Sequence, residues 1–281
     1  MAVNILCIGD VVGKPGRSML AEHLANLVAE RRVDLVVCNA ENAAGGSGLT
    51  PGMFRKMRHH GVDAVTMGDH IYRKPDVLDL LKSSDRIVRP ANLSPRATGR
   101  TWTVVPTKSG EVRVGVTCLL GQMYMGAHDS PWDAVDRVLD EMPGDVRIRI
   151  VDFHAEASSE KIAMGWHLDG RASIVFGTHT HIPTADWRVL PQGTAFVSDL
   201  GMTGPYDGVL GRRRDRVLSA LTTSMPTRFE VASGDPRLSG ILAAVDPDTG
   251  RSESIERIEV RSDDDGPGSD GAPDRTGDSR K

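Results

Sequence analysis

Over its first two-thirds the chain alternates short β-branched apolar runs with longer amphipathic segments. "VNILCIG" reads as a strand, and the following "PGRSMLAEHLANLVAERR" as a helix with Pro15 near its start. "VDLVVCN" is the next strand. "TPGMFRKMRHH" is a helix with Thr50 as N-cap, Pro51 in the first turn and Gly61 as the stop. "VDAVTMG", "KPDVLDLLKS", "RVGVTCLL", "PWDAVDRVLDEM", "VRIRIVDF", "SSEKIAMGW" and "RASIVFG" continue the alternation of strand and helix. The pattern predicts an α/β fold whose sheet is largely parallel at first. Further on, "ADWRVLPQGTAFVSD" reads as a hairpin. "TRFEVASGDPRLSGILAAVDPDTGRSESIERIEV" reads as three strands turning at "SGDP" and "DPDTG". These antiparallel strands suit a second sheet packed on the first, a layered α/β sandwich. The reading is one domain over residues 1–260, followed by an apolar-poor, disordered tail over residues 261–281.

The ends of the apolar runs carry the chemistry. "ILCIGD" ends at Asp10, "LVVCNAEN" at Glu41 and Asn42, "AVTMGDH" at Asp69 and His70, "IRIVDFH" at His154, and "SIVFGTHTH" at His179 and His181. Residues two apart on extended backbone point to one side, so His179 and His181 aim at one place. Open α/β sheets set their sites in the crevice at the carboxyl ends of parallel strands. Buried carboxylates gathered there without cations would be forced to protonate, and bound metal is the resolution. This many donors suits two ions sharing a carboxylate. The mixed carboxylate, amide and imidazole set fits Fe, Mn, Zn or Co better than Mg. Two such ions polarise a phosphoryl oxygen and lower the pKa of bound water, so that a bridging hydroxide can attack phosphorus. His70, beside Asp69, is then the general acid for the leaving oxygen. No substrate-binding residue can be named from the pattern.

Composition narrows the classes. With 281 residues and 39% hydrophobic content the chain can bury a large core. A net charge of −4 gives no electrostatic case for long nucleic acid. No apolar run approaches the ~18 residues of a membrane span. The opening "MAVNILCIGD" enters a strand directly, and Cys7, Cys38 and Cys118 sit in apolar runs without ligand spacing. A cytoplasmic protein with buried free thiols is the expectation.

Taken together, "GDVVGKPGR", "NAENAAGGSGLT", "TMGDH", "VRPAN", "DFHAEASSEK", "GRASIVFGTHTHIPTAD" and "SDLGMTGPYDGVLG" closely resemble the YmdB-like family of calcineurin-like metallophosphoesterases, from Met1 to about Val260. The resemblance implies a four-layer α/β/β/α sandwich. It also implies two metal ions per chain, iron first and manganese or another divalent transition metal otherwise, and hydrolysis of 2′,3′-cyclic nucleotides. It assigns Asp10, Glu41, Asn42 and His181 to one metal, with Glu41 bridging. The position of Asp69, with His154 and His179, goes to the other, and His70 becomes the proton donor. The family usually reads "GNH" where this chain reads "GDH". The Asp69 carboxylate should hold a cation more tightly, weaken its Lewis acidity and repel an anionic phosphate. The alternatives are a phosphomonoesterase or nucleotidase with the same metals, and a metal-loaded regulatory protein with weak turnover.

Other motifs compete less well. "GDVVGKPGRS" fails the phosphate-loop spacing, and Gly13 and Gly16 instead let the backbone turn beside Asp10. "NAAGGSGLT" fails the dinucleotide template and suits a loop close to metal or substrate. His59 and His60 belong to a helix C-terminus, His23 and His167 are ordinary helix residues, and His128 is a candidate for the substrate mouth. "EASSEK" is a helix start rather than a nucleophile site. "GRRRDR" reads as solvated surface with a secondary reading of phosphate steering. "GMTGPYDG" is too rich in Gly, Pro and Asp for a buried strand. Two uses are open to it: shaping the cleft, or a subunit contact in a homo-oligomer.

Overall fold

The structure is a computed structural model that describes residues 2–262. Along the chain run β1 (Val3–Ile8), β2 (Asp10–Val11), α1 (Gly13–Glu30), β3 (Leu35–Asn39), α2 (Pro51–His59), β4 (Ala64–Thr66) and α3 (Val77–Ser83). Then come β5 (Trp102–Pro106), β6 (Arg113–Leu120), α4 (Pro131–Glu141), β7 (Ile148–His154), α5 (Ser158–His167), β8 (Ile174–Thr178), β9 (Arg188–Val189) and β10 (Ala195–Val197). The chain continues through β11 (Met202–Pro205), α6 (Arg214–Thr223), β12 (Pro236–Val245) and β13 (Ser252–Arg261). The predicted cap forms, Thr50 Oγ1 accepting from Met53 N with Pro51 in the first turn, and Ser130 Oγ caps α4 in the same way by accepting from Asp133 N.

A seven-stranded sheet runs β2-β11-β12-β1-β3-β4 with β13 on β12, and a six-stranded sheet runs β5-β6-β7-β8-β10-β9. Side-chain alternation along each strand feeds two cores at once. In β1, Leu6 and Ile8 pack under α1, α2 and α3, while Ile5 and Cys7 face the other sheet. In β7, Ile150 joins that inter-sheet core, while Val151 and Phe153 pack against α4 and α5. The layers are therefore helix, sheet, sheet, helix, as the family resemblance implied. Within the sheets, β1, β3 and β4 are mutually parallel, as are β6, β7 and β8. Their carboxyl ends form the rim on which the site is built.

Several local expectations are corrected. The expected hairpin forms as β9 and β10 and joins the second sheet, whose other strands come from the middle of the chain, but the later strands do not: β12 inserts into the first sheet, antiparallel to both β1 and β11. Gly240 permits this, since a Cβ there would overlap the Cys7 carbonyl oxygen. Only β12 and β13 form from the stretch read as three strands, and Val231 makes an isolated bridge to Arg212. Met202–Pro205, excluded above as a strand, is β11 and is buried throughout. It is short, lies beneath α1, and Gly204 lies where a Cβ would press on Val12. Helix α6, which buries Val217 alone, and strand β5 were not anticipated. Arg261 closes β13; the rest of the expected tail, beyond Ser262, lies outside the described residues. Among the described residues no helix is long and apolar enough to cross a membrane.

Candidate metal centre

Every predicted donor arrives at this shared rim, from both sheets rather than from one. Asp10 opens β2 just after β1, Glu41 and Asn42 follow β3, and Asp69 and His70 follow β4. His154 ends β7, and His179 and His181 follow β8. His154 Nε2 lies 3.1 Å from Asp69 Oδ1, 3.3 Å from Glu41 Oε1 and 3.1 Å from His179 Nδ1. His181 Nε2 is 3.1 Å from Asn42 Nδ2 and 3.9 Å from Asp10 Oδ1. Asn42 Nδ2 is 3.2 Å from Glu41 Oε1, and His70 Nδ1 is 2.9 Å from Asn42 Oδ1. Three overlapping groups each draw their ligand atoms within 4.8 Å of one another: Asp69–His154–His179, Asp10–Glu41–His154 and Glu41–Asp69–His70.

Local backbone makes this approach sterically feasible. A Cβ on Gly68 would overlap both Glu41 Oε2 and His154 Nε2, so only glycine lets β4 end this close. His179 and His181 both adopt positive φ, 95° and 65°, a conformation that costs non-glycine residues energy. Asp199 holds the loop there: its Oδ2 accepts from Thr180 N at 3.3 Å and Thr180 Oγ1 at 2.7 Å, and its Oδ1 from Gly201 N at 2.8 Å. Lys161 Nζ pairs with the same Oδ2 at 2.6 Å, and both side chains are buried.

Each histidine has a partner on its far nitrogen. Thr178 Oγ1 donates to Asp152 at 2.6 Å, so it accepts from His154 Nδ1 at 2.8 Å, and Nε2 faces the cluster. His181 Nδ1 donates to the Leu210 carbonyl at 3.1 Å, leaving its Nε2 as a lone pair. His179 Nε2 faces Glu156 at 3.2 Å, leaving Nδ1 inward. This is how protein sites orient imidazoles toward a metal.

The electrostatics call for positive charge. Burial disfavours a charged His154, but Glu41, Asp69 and Asp10 around it outweigh burial and push its pKa well up. Burial would raise Glu41 and Asp69, yet the surrounding histidines hold both carboxyls low. Asp10 is pushed up by burial, and its Oδ1 is buried without a hydrogen-bond partner. His70 is raised, first by its hydrogen bond to Glu41. A buried carboxylate oxygen with no donor, among lone pairs already aimed inward, fits a divalent cation.

Supporting residues escaped the sequence reading. Asn39 donates from Nδ2 to Asp152 at 3.0 Å and accepts from Glu41 N at 3.1 Å, tying β3 to β7. Burial lifts the Asp152 carboxyl to about 6. Glu156 stands two residues past His154, a spacing that could have flagged it; Lys161 and Asp199 carried no such signal. Gly13 begins α1 at positive φ, in line with a backbone turn beside Asp10, whereas Gly16 lies within α1 and allows close packing instead, since a Cβ there would overlap the Thr203 carbonyl. The "NAAGGSGLT" loop follows Glu41, but the group packed on it is Arg212, whose guanidinium donates to the Gly45 and Gly46 carbonyls. Arg212 is thus not the solvated charge expected of it; Arg213 pairs with Asp215 and Glu230, and Arg214 with Asp207. His60 caps α2, His23 lies within α1, and His167 ends α5 against Asp136. His128 bonds the Met125 carbonyl and is not among the described residues lining the cavity over the donors.

A double-sheet sandwich that gathers these donors at its strand ends is a fold of the metallophosphoesterase type. Residues 6–258 match the YmdB-like protein family, and the chain belongs to it. A Bacillus subtilis (strain 168) relative, 2′,3′-cyclic-nucleotide 2′-phosphodiesterase, is 42% identical over 261 residues, 93% of this chain and 98% of its own. The crystal structure of a hypothetical protein from Thermus thermophilus superposes with a TM-score of 0.86 at 36% identity, covering 92% of this chain and 99% of that one. That of a novel phosphatase from Mycoplasma pneumoniae also scores 0.86, at 31% identity, covering 93% and 94%.

Proposed function

We propose that the chain is a metal-dependent phosphoric diester hydrolase acting on small phosphodiesters, with 2′,3′-cyclic nucleotides as the substrate class. The observation that carries this reading is the overlap of the donor groups, in which Glu41, Asp69 and His154 are each shared between two. Such sharing suits two adjacent cations. Asp10, Glu41, Asn42 and His181 would hold one, and Asp69, His154 and His179 the other, with Glu41 between them; iron is the first candidate and manganese the second. Bound there, two divalent ions supply Lewis acidity and lower the pKa of water. The protein's part is to hold the donors before substrate arrives, so no reorganisation is needed at the moment of reaction. His70 is the proton donor to the leaving oxygen: Asn42 and Glu41 hold its Nδ1, and its Nε2 stands 3.6 Å from Asp69 Oδ2. The name of the Bacillus relative supports a cyclic diester over a monoester. The free, buried Cys7, Cys38 and Cys118 support a reducing, cytoplasmic setting.

The test is turnover of 2′,3′-cyclic AMP beside simple phosphomonoesters, with metal content measured on protein purified without added metal. Two ions per chain and a preference for the cyclic diester are expected, and a chelator should abolish turnover. Turnover of monoesters alone would replace the diesterase reading with a nucleotidase. Two ions without turnover of any ester would favour a regulatory protein, a reading that the Asp69 carboxylate keeps in play.

A further inference from the structure

The cavity over the donor cluster, about 250 Å³, has a second wall of a different kind. Val209, Leu210, Val217 and Phe229 line it, and Arg212 lines it too. Binding and hydrolysing a phosphate anion needs no apolar surface, and water would be better company for a bare sugar phosphate. Yet Phe229 is 47% exposed and Leu210 45% exposed on this wall. Leu210 sits at positive φ (51°), and its carbonyl accepts the hydrogen bond from His181 Nδ1. The residue that holds one donor imidazole therefore also presents an apolar side chain to the same cavity. The backbone that follows Phe229 is held on both sides of the Arg212–Val231 bridge: Arg213 N donates to the Glu230 carbonyl at 2.9 Å, and Ala232 N to the Gly211 carbonyl at 2.9 Å.

We propose that this wall is a base subsite, with Phe229 stacking on the nucleobase of a mononucleotide whose phosphate lies among the donors. The proposal rests on the function proposed above and specifies the part of the substrate that the donors cannot recognise. One end of such a ligand is anionic and the other a flat, weakly polar ring, which matches the two walls. The cavity lies just under the ~300–1,000 Å³ typical of small-molecule sites, which suits one nucleotide rather than a strand. Because every base has a π-face, stacking discriminates little among bases. Small differences between adenine, guanine, cytosine and uracil substrates follow.

The experiment compares wild type, Phe229→Ala and Phe229→Tyr on 2′,3′-cyclic AMP and on glycerol 1,2-cyclic phosphate, a cyclic diester with no base. Calorimetry on the metal-loaded protein runs alongside, comparing adenosine 3′-monophosphate with glycerol phosphate. Loss of one base-stacking partner corresponds to about tenfold or somewhat more. Phe229→Ala should therefore lower the kcat/KM ratio of nucleotide to glycerol ester about tenfold, through KM, and lower the binding preference for the nucleotide alike. Phe229→Tyr should restore both. Unchanged ratios in Phe229→Ala overturn the subsite. So does a wild-type dimer that dissociates on the substitution while base preference persists, which would make the wall a subunit contact. If wild type hydrolyses neither cyclic ester, the diesterase reading fails and the calorimetric comparison alone decides the subsite.

Discussion

Lys161→Met removes the cation from a pair whose side chains are only 2% and 1% exposed, and leaves the Asp199 carboxylate buried. Removing one partner of a buried ion pair costs about 3–5 kcal/mol, because the remaining charge cannot recover its hydration. The hydrogen bonds from Thr180 N, Thr180 Oγ1 and Gly201 N stay with Asp199, which places the expected loss at the lower end, about 3 kcal/mol. For a chain of this size that is roughly a 5 °C fall in Tm. The same carboxylate clamps Thr180, and without Lys161 it is held from one side only, so the restraint on His179 and His181 weakens and metal retention should fall with stability. Urea denaturation gives the free energy, and metal content after gel filtration reads the loop. Adding Asp199→Asn should recover about 1–2 kcal/mol, the coupling of a contacting pair. Additive losses in the double variant, or a loss below about 1 kcal/mol in the single one, would refute the claim that the pair is electrostatically coupled and buried.

Gly68→Ala should weaken metal affinity by about 10–100-fold, the range for disturbing groups that hold ligands, because its methyl overlaps Glu41 and His154; metal titration followed by spectroscopy checks this. Asp69→Asn removes a carboxylate 3.1 Å from His154 Nε2 and should loosen metal while speeding turnover; unchanged values of both would defeat the charge argument. Asp186 is half-buried, which would raise its carboxyl, but hydrogen bonds from Ser198 and Thr184 outweigh burial and lower it. A depressed carboxyl stabilises fully above its unfolded value of about 3.9 and loses that contribution as pH falls through its folded value, so Asp186→Asn should flatten the acid limb of a stability-against-pH curve.

The chain's own order of residues settled the local elements and the chemistry at their ends. Period-2 runs and capped amphipathic segments are short-range, so β1, β3, β7, β8 and helices α1 to α5 were all legible. Because parallel strands send their carboxyl ends to one rim, Asp10, Glu41, Asn42, Asp69, His70, His154, His179 and His181 could be grouped before any coordinates. The tertiary structure alone decided which sheet each strand joins. The edge of β12 presents the same alternating pattern to any neighbour, and the overlap that a side chain at Gly240 would make with the Cys7 carbonyl exists only once the two strands are paired. It also decided that β11 is buried, since its four residues carry too little pattern of their own and take their burial from α1 above them. Asn39, Asp152, Thr178, Lys161 and Asp199 became visible only there. Their roles are contacts across long sequence separations, and a hydrogen bond or buried ion pair between distant residues leaves no periodicity along the chain.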